Sequence, residues 1–182
     1  MSILNTKIQI AFPDKDKFSR RGRQIIQLNL VEIRARTVSA DDYINNLEEP
    51  FKEKFLTRKQ TYQLNREAIT QLRAFAGKYV VIAFSAPWCK DCALNIPVLA
   101  LINETTALEV RIFGGLKKDP LNERHKWRIP PSPQEVETLN VEKIPLIIVA
   151  DAKGREIGRI VENPSHQPTL EQEISEIIRP KQ

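Results

Sequence analysis

The chain has 182 residues, 41% of them hydrophobic and 28% charged, which is enough for one buried core with an appended element. Two cysteines exclude a disulfide framework, two histidines leave few soft metal ligands, and no apolar stretch approaches the ~18 residues of a membrane span. The net charge of +5 lies in the N-terminal arm, because residues 1–40 carry eight positive and three negative groups.

That basic arm, residues 1–38, attracts acidic partners through its summed field. Without interleaved aromatics or a recognisable module, it argues against nucleic acid as the partner. Ser19 to Arg23 has the outline of a twin-arginine export signal, but the following residues are broken by Gln, Asn and Glu. The expectation is a cytoplasmic protein without membrane association. Within the arm, Lys7-Ile8-Gln9-Ile10 and Gln27-Leu28-Asn29-Leu30 alternate as strands of a short hairpin do. A helix through Ile26, Leu30 and Ile33 fits nearly as well.

From Ser39 the period becomes helical. Ser39 and Asp42 resemble a capping box, and Ile44, Leu47, Phe51 and Phe55 share one face. Tyr62, Ile69, Leu72 and Phe75 resume the pattern after a break near Thr57, and Gly77 ends it. Residues 39–77 are thus predicted to be a helical pair leading into the main domain.

Tyr79 to Ser85 is a short, β-branched apolar run, predicted to be a strand buried on both faces. Ala93 to Glu104 follows as a helix, with Leu94, Val98, Leu101 and Ile102 turned inward and Pro97 inside it. Glu109 to Phe113 is a second strand, ended by Gly114-Gly115. After a polar loop, Ser132-Pro133-Gln134-Glu135 restarts a helix with a capping box. Ile144 to Asp151 and Arg155 to Val161 are two strands joined at Lys153-Gly154, and Thr169 caps a last helix through Leu170, Ile174, Ile177 and Ile178. This order predicts an α/β fold, a mixed central sheet flanked by helices on both faces.

The two cysteines, Cys89-Lys90-Asp91-Cys92, fall where the first strand gives way to its helix. Unpaired N–H groups and the helix dipole stabilise a thiolate there, lowering a thiol pKa of ~8.5. Cys89 is therefore the expected nucleophile, and Cys92, one turn deeper, the thiol that resolves a mixed disulfide. A zinc site made with His125 and His166 is the competing reading, but their spacing fits no compact finger, so no metal is expected.

The strand, then Trp88-Cys89-x-x-Cys92, then a helix holding Pro97, then Ile144-Pro145 opening a later strand that turns at Gly154, together resemble the thioredoxin family over roughly residues 72–179. The likeness is to members with a helical N-terminal extension and an aspartate before the second cysteine. It implies a thioredoxin-like fold with Pro145 as a cis-proline facing the cysteines. The backbone of Ile144 is then expected to pair with an extended substrate, and Trp88 to form part of the substrate surface. It implies a thiol-disulfide oxidoreductase that acts on disulfide-containing proteins, is recycled by an upstream dithiol and needs no bound cofactor.

Two departures stand out. Ala83 occupies the place of the family's buried aspartate, and Lys90-Asp91 replaces Gly-Pro, with Lys90 favouring and Asp91 opposing the Cys89 thiolate. The loop from Gly114 to Pro131 is long and carries Lys117, Lys118, Arg124, Lys126 and Arg128 against Asp119 and Glu123. It is expected to overlook the cysteines and to select an acidic or extended partner, with Trp127 as apolar anchor. A tolerated surface insertion fits that loop equally. The alternative function is a thioredoxin-fold binding module or redox sensor that recruits a partner through the arm and this loop.

Overall fold

A computed structural model describes residues 27–122 and 125–179; the hairpin expected near Lys7–Ile10 lies outside them. Helix α1 (Leu30–Arg36) starts where Asn29 accepts hydrogen bonds from the N–H groups of Val31 and Glu32. Of the two readings of that stretch, the helical one holds from Leu30 onward. Helix α2 (Ala40–Asn45) is capped by the Ser39 hydroxyl, which accepts from the Asp42 N–H.

The expected helical pair is three helices. Helix α2 ends at Asn45, and Pro50, which has no N–H to give, stands at the N-cap of the next helix. Helix α3 (Phe51–Thr61) begins after it, and α4 (Arg66–Arg73) begins where Asn65 accepts from the Ala68 N–H. Thr57 lies inside α3, so the break expected there is displaced to both ends of that helix. Gly77, at φ +73°, closes the segment in a conformation that favours glycine.

Strand β1 (Tyr79–Phe84) leads into α5 (Lys90–Thr106) and then β2 (Glu109–Phe113). A short α6 (Glu135–Thr138) precedes β3 (Leu146–Asp151), β4 (Glu156–Val161) and α7 (Leu170–Ile178). The sheet order is β2-β1-β3-β4, with β1 parallel to β2 and antiparallel to β3. Val80 through Phe84 are all buried, as are Leu146 through Ala150. Both faces of the central strands are therefore covered, as their unbroken apolar runs predict. Fully burying each such Val, Ile or Phe contributes roughly 1.5–3 kcal/mol.

Two helical details differ from expectation. Leu94 is 46% exposed, because α5 starts earlier than the pattern suggests and its inward face runs through Cys92, Ile96, Leu99 and Ile102. Ser132 does not cap α6. Its hydroxyl instead accepts from the Lys117 N–H at 2.8 Å and donates to the Lys117 carbonyl, pinning the two ends of the long loop together.

The segment before α2 also closes the sheet. Val38 exchanges two backbone hydrogen bonds with Ile112 along the free edge of β2, and the Leu28 N–H donates to the Gly154 carbonyl at 2.7 Å. An exposed strand edge invites pairing with other chains, and this segment occupies it locally.

Candidate active site

The pairing of β1 brings three segments to one end of the sheet. Phe84 lies beside Phe113 of parallel β2 and beside Leu146 of antiparallel β3. The exit of β1 therefore meets the entry of β3, which is the cis peptide Ile144–Pro145. Ser85 and Ala86 leave the strand, and the Cys89 N–H turns back to the Ala86 carbonyl at 3.2 Å.

Cys89 is the N-cap of α5. Its Sγ accepts the Cys92 N–H at 3.1 Å and donates to the Ile144 carbonyl at 3.4 Å. The Cys92 thiol, through a hydrogen bond, draws Cys89 below the usual thiol range. Burial opposes this, the N–H groups of Cys92 and Asp91 reinforce it, and the Asp91 charge works against it. Lys90, next to Cys89 in the chain, is exposed. Cys92 is wholly buried, and that burial together with the neighbouring Cys89 pushes its thiol far up. Two chemically equal thiols are thus divided into one primed to ionise and one held protonated.

The first turn of α5 is held from outside. The Asn95 amide donates to the carbonyls of Asp91 and Glu162 and to Asn163 Oδ1, while Asn163 Nδ2 donates to Asp91 Oδ1 at 2.9 Å. Asn95 and Asn163 escaped the sequence reading. The available signal was a lone Asn at an inward position of an otherwise apolar helix face.

Trp88 is 47% exposed beside the dithiol and stacks on Trp127 with ring centroids 6.0 Å apart. The long loop does reach this end of the molecule, but Trp127 is only 6% exposed, with its indole N–H donating to the Glu142 carbonyl. The free anchor expected at Trp127 is instead a packed ring that backs Trp88, since an indole offered to solvent loses the apolar burial it gains against a second ring. Beyond it, residues 125–128, 136–137 and 140–142 line an open groove of about 410 Å³. Arg128 pairs with Glu137 there, which removes one of the loop's free cations, and Glu123 and Arg124 lie outside the described residues. His125 and His166 are both exposed on separate loops. Among the described residues, no three His, Cys, Asp or Glu side chains converge on a metal position.

Ala83 is wholly buried in β1, so no carboxylate stands behind Cys92 at that position. Behind Cys92 lie the hydroxyls of Ser85 and Tyr43 instead. The sequence reading missed both.

A family model described as thioredoxin matches residues 37–175. The chain belongs to the thioredoxin family. The match begins ahead of α2, so it takes in α2, α3 and α4 as well as the sheet, and leaves α1 outside. Among solved structures, this thioredoxin-family chain is similar to a protein of unknown function from Pseudomonas aeruginosa, at 17% identity and a TM-score of 0.61 over 81% of this chain and 93% of that one. It is also similar to an HIV epitope-scaffold, at 18% identity and a TM-score of 0.57 over 74% and 77% of the two chains. These likenesses are of fold. No curated protein matches the chain. No helix among the described residues is long and apolar enough to cross a membrane.

Proposed function

We propose that the protein is a thiol-disulfide oxidoreductase that reduces disulfides of partner proteins. The observation that carries this reading is the unequal pair: Cys89 at the start of α5, drawn toward the thiolate, with Cys92 buried one turn behind it. The Cys89 thiolate attacks one sulfur of a partner disulfide, and the partner's second sulfur leaves with the electron pair. Cys92 then attacks Cys89, which frees the first partner sulfur and leaves a Cys89–Cys92 disulfide. An upstream dithiol returns that disulfide to two thiols, so the electrons need no bound cofactor. With only two cysteines in the chain, this chemistry suits a reducing compartment, the cytoplasm.

Trp88, Ile144 and Pro145 surround Cys89 and form the surface on which an extended segment docks. The groove beyond Trp127 continues that surface toward Lys126. The thiol of Cys89 now occupies the Ile144 carbonyl, and ionisation of that thiol releases the carbonyl to an incoming backbone N–H.

Repeated reduction of insulin disulfides, with dithiothreitol as electron source, tests the reading. Turnover is expected for the wild type and none for Cys89→Ala with Cys92→Ala. A reduction potential near or below about −230 mV would agree with a cytosolic reductant. A second reading, a partner-binding module with a slow redox sensor, is favoured by Cys89 being only 7% exposed. That reading requires partner binding to survive the double alanine change, with no turnover by the wild type.

A further inference from the structure

The resolving half of the exchange passes charge through an unfavourable place. As Cys92 attacks Cys89 of a mixed disulfide, the Cys89–Cys92 bond forms and the bond to the partner sulfur breaks. The electron pair of the broken bond leaves on the partner sulfur, which also receives the proton that Cys92 gives up. Until the new bond is complete, negative charge develops on Cys92 Sγ, a wholly buried atom. An isolated charge in such a place is strongly disfavoured, and Ala83 offers no acid to accept the proton.

Two other side chains converge there. Ser85, wholly buried, is the first residue beyond β1. Tyr43 comes from α2, is 7% exposed, and has its ring seated on Gly114, where an added Cβ would lie 2.9 Å from Tyr43 Cε2. The Ser85 hydroxyl is the neighbour shared by the Tyr43 hydroxyl and the Cys92 thiol. Both hydroxyl oxygens are buried without a hydrogen-bond partner. Each such group costs roughly 1–3 kcal/mol, which a fold retains only with a reason.

We propose that the Ser85 and Tyr43 hydroxyls form a donor pair that receives the Cys92 thiolate as it develops, replacing the buried carboxylate of the fold. This rests on the dithiol-exchange reading above. A hydroxyl both donates and accepts by rotation about its C–O bond, without moving a heavy atom. As charge develops on Cys92, Ser85 turns to donate to the thiolate and Tyr43 turns to donate to Ser85 Oγ, so that both unpartnered hydroxyls gain partners in that step. Burial pushes the Tyr43 phenol up, so it remains a neutral donor and is not the base. Tyr43 is thus a positioning residue that acts through Ser85. The other titratable group bearing on Cys92 is Cys89, on which Asp91 acts in turn. The pair supplies hydrogen bonds and no net charge.

The test uses the full chain with Cys89 linked to thionitrobenzoate, a coloured thiol that departs readily as an anion. Its release reports the Cys92 attack alone, followed by stopped flow from pH 5 to 10. Ser85→Ala is expected to slow release about tenfold at neutral pH, the effect of one hydrogen bond to a charged group, and to move the pH midpoint upward. Tyr43→Phe, which keeps the ring, should act in the same direction. Adding it to Ser85→Ala should cost little more, and Ser85→Thr should restore the rate. The first attack of Cys89, measured in a Cys92→Ser background, should be unchanged in every variant. Wild-type release with the same rate and pH profile in both variants would overturn the donor pair and leave the exchange reading standing. An equal loss in the Cys89 attack would also overturn it, by assigning a structural effect. No release from the wild type would overturn the exchange reading and the donor pair with it.

Discussion

Cys89 and Cys92 stand three residues apart on one helix, yet their surroundings give them opposite tendencies. Reduced protein is therefore expected to take up one equivalent of iodoacetamide at Cys89 near neutral pH, with Cys92 protected, as peptide mass mapping would show. Removing the opposing charge by Asp91→Asn should shift the alkylation midpoint lower and quicken the reaction, because Asp91 disfavours the Cys89 thiolate. Cys92→Ser should accumulate partners as mixed disulfides through Cys89, and Cys89→Ser should not. If both variants trapped partners equally, the division of roles would be wrong. The same asymmetry couples to stability. Cys92 is held up in the folded state, so its contribution is present below the unfolded thiol pKa and is lost as the pH rises, by about 1.4 kcal/mol for each unit above ~8.5. Cys89 acts in the opposite sense in a lower window, its contribution fading as the pH falls through its depressed folded value. Urea unfolding of the reduced protein at pH 8 to 10 should show the alkaline loss, and Cys92→Ser should flatten it.

At the scale of elements, the turn between β3 and β4 is the clearest case of local chemistry serving a distant contact. Asp151 Oδ1 accepts the N–H groups of Lys153 and Arg155 at 3.0 Å each, and Gly154 between them takes φ +81°. A Cβ on Gly154 would lie 2.1 Å from the Leu28 carbonyl oxygen, so the segment ahead of α1 can lie here only against a glycine. Gly154→Ala is expected to cost more than the roughly 1–3 kcal/mol of backbone strain alone. Gly77→Ala, at a similar φ of +73° with open space around it, should cost that strain and no more. A comparison of the two urea midpoints checks the difference; equal losses would mean that the Leu28 contact contributes nothing.

Across the whole molecule, the helices before β1 are part of the core. Ile44, Phe55, Ile69 and Leu72 belong to the same buried cluster as β1 and α5. Glu171 of α7 is wholly buried and accepts from Tyr62 Oη at 3.0 Å and from the Asn65 N–H at 2.8 Å, tying the α3–α4 link to the far end of the chain. Lys59 joins Asp41 to Glu104 in the same way, linking α2 to α5 through α3. Glu171→Ala leaves two donors without their charged acceptor and should cost about 3 kcal/mol. Unfolding should remain one cooperative transition seen equally by circular dichroism and by tryptophan fluorescence. Loss of the helical signal ahead of the fluorescence change would show the helices to be a separable appendage.

Much of this was legible in short windows of the chain. The apolar runs of β1 and β3, the caps at Ser39 and Thr169, and a dithiol at a strand-to-helix junction are each written in neighbouring residues, because backbone period and capping act over a few positions. The placement of the cysteines at the start of α5 therefore followed from local pattern. Other features depend on contacts that no window contains. Cys89 meets Ile144 across 55 positions of chain, Trp127 turns inward onto Trp88, and the buried Cys92 thiol is neighboured by hydroxyls from α2 and from the residue after β1. Such pairings arise when the core closes, since packing selects among side chains by shape and burial and takes no account of their distance in sequence.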